Sequence, residues 1–121
     1  MPAAGRLAAA RARQLARKGR TMSIRRVAVA EPLAYHQADA RGFSAAAPDA
    51  DPMAAAPGQA QRRRRIELDE LPPGAAFPIP PRHGDELLDG DEAFAVEAAE
   101  RVWDGGTPAG WRLWVVGGGG A

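Results

Sequence analysis

The 121-residue chain has no cysteine, which excludes disulfides, thiolate catalysis and cysteine-based zinc sites. It has no asparagine and a single lysine, Lys18, while Ala, Gly, Pro and Arg abound. That bias is expected of a GC-rich coding sequence, so arginine number alone is a weak pointer to phosphate binding. No run approaches the roughly 20 apolar residues of a membrane-spanning helix. No acid precedes Glu31, and that stretch has no apolar core of the secretory type. An Arg-rich, acid-free start matches an organellar transit peptide in outline, but a solvated basic helix is the preferred reading. The two histidines, His36 and His83, stand on Ala- and Pro-rich segments. A hydrolytic metal site needs three protein ligands in defined geometry, so no metal and no cofactor is expected.

What is present is a reversal of charge. Residues 1–65 hold thirteen Arg or Lys against four Asp or Glu, whereas residues 66–121 hold three Arg against eleven acids. Such asymmetry points to a basic arm beside an acidic region. The arm could bind a polyanion, or it could fold over the acids of its own or another copy.

Residues 5–18 (GRLAAARARQLARK) favour a helix, with Gly19 placed to end it. On a helical wheel Arg6, Arg13, Arg17 and Arg20 fall on one side, and Leu7, Ala8, Ala12, Leu15 and Ala16 on the other. Two leucines make a thin apolar face, so this helix is expected either to depend on a partner or to be only partly populated. Ile24, Val27 and Val29 suggest a short strand. Residues 31–61 offer mainly Ala to bury, with Leu33, Tyr35, Phe43 and Met53 as isolated larger groups and four prolines as breaks. A disordered linker is expected there, ending in Arg62, Arg63, Arg64 and Arg65.

The strongest local signal beyond the linker is DGDEAFAVEAAERVWDGG, residues 89–106. Asp89 and Glu92 stand at capping-box spacing, and Phe94, Ala95, Ala98, Ala99 and Val102 form one helical face. An amphipathic helix is expected, with Glu97 and Glu100 on its solvated side. After a turn, residues 111–116 (WRLWVV) read as a strand with Trp111, Leu113 and Val115 on one face. Trp103, Trp114 and Val116 have no place on the expected buried faces and suggest a protein partner. The four glycines that follow lack the downstream helix a phosphate-cradling loop requires.

From about Leu71 to Val116 the chain resembles the N-terminal part of the 2-keto-4-pentenoate hydratases of the fumarylacetoacetate hydrolase superfamily. The resemblance rests on Leu71-Pro72-Pro73 with Ile79-Pro80-Pro81, on DEAFAV at 91–96 and on GGTPAGWR at 105–112. Glu97 stands where the family has Gln, and Arg112 where it has Lys. The family's metal-binding carboxylates and β-rich catalytic domain would fall beyond Ala121, so the resemblance implies an inactive, hydratase-like fragment.

The residues themselves give a different leading expectation. The fold is expected to be mostly disordered, with an N-terminal basic α-helix and a small C-terminal α+β element of amphipathic helix, turn and short strand. Its parts are a basic helix and short strand (1–30), an Ala/Pro-rich linker (31–65) and a small acidic element with a Gly-rich tail (66–121). The function expected is that of a non-enzymatic, cytoplasmic interaction protein. Arg6, Arg13, Arg17, Arg62, Arg63, Arg64 and Arg65 would bind nucleic acid or another polyanion without sequence preference.

Overall fold

The structure, a computed structural model, describes residues 3–45, 63–72, 74 and 77–120, with side chains from Ala9 to Gly117 among them. Among the described residues one helix, α1 (Ala3–Lys18), precedes six strands: β1 (Arg20–Ala30), β2 (Leu33–Ala45), β3 (Arg63–Leu68), β4 (Glu86–Asp89), β5 (Glu92–Asp104) and β6 (Thr107–Gly120). All strand pairs are antiparallel, and the order β1-β2-β3-β6-β5-β4 closes on itself as a barrel. Closure pairs strands that would otherwise present open edges.

Two short turns set the β4–β5–β6 meander. Gly90 and Gly105 have φ of +60° and +64°, the left-handed first position that the primed two-residue hairpin turns require. Alternation then sends one set of side chains inward, where Met22, Ile24, Leu68, Leu87, Phe94 and Leu113 fill the barrel. Burying each such side chain is worth about 1.5–3 kcal/mol.

This architecture corrects the expected fold class. The chain is neither mostly disordered nor an assembly of a free helix and a small α+β element, because strands dominate it. Residues 33–45, expected within a linker, form β2 and pair with β1 from Ala30↔Leu33 to Arg20↔Gly42. The small residues that argued against a core there are what a tight barrel wall needs: Ala38 and Gly42 are buried without demanding volume. Residues 46–62 lie outside the described residues.

The amphipathic helix expected over 89–106 is also replaced, by the end of β4, a turn and β5. Alanine and glutamate have high helix propensity, but a closing barrel overrides it. The period-2 signal was concealed because β5 shifts register at Glu92/Phe94, Val96/Ala98 and Val102/Trp103. Phe94 and Val96 alternate inward, and the next apolar residues then fall out of phase. Trp114 is buried as well, at 7 % exposure, whereas Trp103 stays 55 % exposed.

Candidate functional site

The charge reversal in the sequence becomes pairing in space. β1 carries three arginines, and each meets a carboxylate on β4 or just before it. Arg20 binds Asp89 through both Nε (2.6 Å to Oδ1) and a terminal nitrogen. Arg25 reaches Glu86, its cross-strand partner, at 2.5 Å. Arg26 grips Asp85 with two bonds of 2.6 and 2.8 Å and also donates to the Pro80 carbonyl. Asp85 is 2 % exposed and accepts the Arg82 backbone N–H, so this pair ties the loop before β4 to β1. The hydrogen bond from Arg20 is the main influence holding the Asp89 carboxyl below its usual range, against the opposing effect of burial. The bond to Asp85 likewise raises Arg26.

Helix α1 is corrected from a detached basic arm to a docked element. Leu15 is 5 % exposed against the barrel. Arg11 turns inward with all three nitrogens engaged: Nε meets Glu67 at 2.9 Å, and the terminal nitrogens donate to the carbonyls of Ala109, Leu68 and Trp111. That reach requires Gly110, where φ is +121° and a Cβ would stand 2.3 Å from the Leu68 oxygen and 3.0 Å from Arg11. From β2, Arg41 donates to the Leu15 and Ala16 carbonyls, capping the helix C-terminus where a cation is favoured.

Under α1 the outward side chains of four strands form cross-strand rows. One row runs Phe43–Glu67–Arg112–Glu100 across β2, β3, β6 and β5, and the next runs Ala45–Arg65–Trp114–Ala98. Glu67, only 4 % exposed, is neutralised by Arg11, by Arg112 at 2.6 Å and by Arg65 at 3.3 Å. The bond to Glu67 is also the main reason Arg112 is raised above its ordinary value. Between this face and α1 lies a cleft of about 390 Å³. Arg11, Arg65, Glu67 and Arg112 supply its charge, Phe43 and Trp103 its rings, and Gln14 an amide.

The seven residues expected to bind nucleic acid are dispersed by the fold. Arg6, Arg13 and Arg17 stand on α1, and the side chains of Arg13 and Arg17 are exposed. Arg62 lies outside the described residues. Arg63 is half-buried, 3.5 Å from Glu97. Arg64 is exposed, with its guanidinium 5.3 Å from the centroid of the Phe94 ring. Arg65 joins the cleft. The run of arginines is thus split by the alternation of β3. Sequence reasoning missed Arg11, Arg112, Phe43 and Glu67. The one legible hint was the two-residue spacing of Arg63, Arg65 and Glu67, which puts them on one face of any strand.

Among the described residues, no three His, Asp or Glu are arranged to hold a metal, and no helix is long and apolar enough to cross a membrane. No family model matches the chain, and neither a curated protein nor a solved structure matches it.

Proposed function

We propose that the protein is a non-enzymatic binding module that holds a polyanion, nucleic acid above all, on the outward face of α1. The observation that carries this reading is a contrast in partners. Arg13, Arg17 and Lys18 are exposed on a helix without a single acid, and no described carboxylate lies within ion-pair distance of them. Arg13 and Arg17 are one turn apart and share a face. Positions 6, 13 and 17 span about 16 Å at 1.5 Å per residue. A partner that engages all three carries negative charge repeated along its length, as a phosphate backbone does. These cations meet a phosphate backbone, whose contacts carry no sequence information, so sequence preference is expected to be slight.

The test is titration of labelled single-stranded and duplex DNA and RNA at several salt concentrations. Each neutralised phosphate contributes about 0.7 to the log–log salt slope on single strands and about 0.9 on a duplex. Affinity is expected to fall steeply with salt and to vary little with sequence. The double variant Arg13→Glu, Arg17→Glu should lose most of it. No binding by the intact chain at about 50 mM salt, where such contacts are strong, would sink the proposal.

A further inference from the structure

We infer that the cleft beneath α1 binds a single nucleotide unit: a flat heteroaromatic ring together with one phosphate. This site is separate from the outward face of α1 and does not depend on it.

Three observations converge. The first is unspent donor capacity. Arg65 approaches Glu67 only through Nε, at 3.3 Å, and its terminal nitrogens hold no hydrogen bond among the described residues. Arg112 spends Nε on Glu67 and one terminal nitrogen on Glu100, leaving the other. Arg11 has all three nitrogens engaged within the protein and serves as scaffold. Two carboxylates, Glu67 and Glu100, face three guanidinium groups, so the cleft keeps a positive surplus for an oxyanion. Paired guanidinium donors suit phosphate geometry better than a point charge does.

The second is the apolar lining. Phe43 is buried at the sheet side, Trp103 is exposed at the rim, and Ala10, Ala45 and Val102 complete a surface a ring can lie against. Arginine-flanked aromatics of this kind are the stacking platforms used for unpaired bases. The third is Gln14, whose amide offers both donor and acceptor to ring heteroatoms, which a plain aromatic acid would leave unused. A volume of about 390 Å³ lies within the range of small-molecule sites.

The same chemistry is met in a free nucleotide and in one residue of a strand, and the experiment separates them. Tryptophan fluorescence of the intact chain is followed during addition of adenosine monophosphate, adenosine, inorganic phosphate and a short single-stranded oligodeoxyadenylate. Trp111 and Trp114 are buried, so Trp103 is the reporter, and Trp103→Phe should remove the signal. Saturable quenching by the monophosphate is expected, weaker quenching by adenosine, and competition without quenching by phosphate. Arg65→Met should weaken binding about ten-fold or more, the usual scale for a charge-assisted contact. Ala45→Leu, which fills the cleft and leaves every arginine in place, should abolish it and decides the matter if Arg65→Met does not fold. Arg13→Glu with Arg17→Glu should leave nucleotide quenching intact while polyanion binding is lost. Quenching by the oligonucleotide alone, with the same dependence on Arg65 and Ala45, assigns the site to a strand. No saturable quenching by either, or quenching that survives both cleft variants, overturns the inference.

Discussion

On β1, three arginines lie against Asp85, Glu86 and Asp89; on α1, Arg13, Arg17 and Lys18 face solvent without a described carboxylate. Both groups come from the same basic half of the sequence, yet they belong to different economies. The β1 cations neutralise acids that strand closure forces into the barrel wall, so they act on the folded state. The α1 cations add at most the modest favour of a cation in the last helical turn, at Arg17 and Lys18, which leaves them available to a partner. A lopsided charge distribution along a chain therefore has two separable meanings, and only the pairing in space tells them apart.

Substitutions can break that contrast, and the largest effect is expected at Asp85. Asp85→Ala leaves Arg26 with 15 % side-chain exposure and no carboxylate, and unpairing a buried ion typically costs roughly 3–5 kcal/mol. Chemical denaturation should show that loss; a change under about 1 kcal/mol, the level of an exposed pair, would mean the β1 pairs are ornamental.

A smaller effect, dependent on pH, is expected at Arg20. Asp89 has its folded carboxyl held low, so its contribution is present above the ordinary carboxylate range near 3.9 and is lost as pH falls through the lower folded value. The stability gap between the wild type and Arg20→Met should be steady at neutral pH and close below about pH 4. A gap unchanged down to pH 2 would show that Arg20 does not hold this carboxylate. Because Arg20 is 58 % exposed, the neutral-pH gap should be modest.

Arg25→Met should cost less again, about 0–1 kcal/mol, since Glu86 is 39 % exposed and the pair is partly solvated. A comparably small stability effect belongs to Arg13→Glu with Arg17→Glu, about 0.3–1 kcal/mol, from placing an acid in the last helical turn. Its thermal midpoint should move by only a few degrees while its affinity for labelled DNA collapses. A large stability loss here would place these residues with the paired group after all.

The sequence made some of this visible. Residues 111–116 read as a strand, and Trp111, Leu113 and Val115 do lie buried along β6. Gly90 and Gly105 mark two turns, but the Ala- and Glu-rich stretch between them favoured a helix. β2 was hidden for another reason: its strand character comes from pairing with β1, not from its own alanines and glycine. Of the cleft, only the shared strand face of Arg65 and Glu67 could be read. Phe43, Glu67 and Arg112 are adjacent only through the register of three strands, and Arg11 reaches them through a glycine whose importance is invisible in one sequence.

The grip of Arg11 also has a meaning in time. Its carbonyl partners at Ala109 and Trp111 are 98 and 100 residues away along the chain. Contacts of such separation form slowly, because a long loop must close before they can be made. The first helix can therefore settle only onto a barrel whose last strand is already in place. Refolding followed at Trp111 should run ahead of helix docking, and the cleft beneath α1 would be the final part of the molecule to come into being.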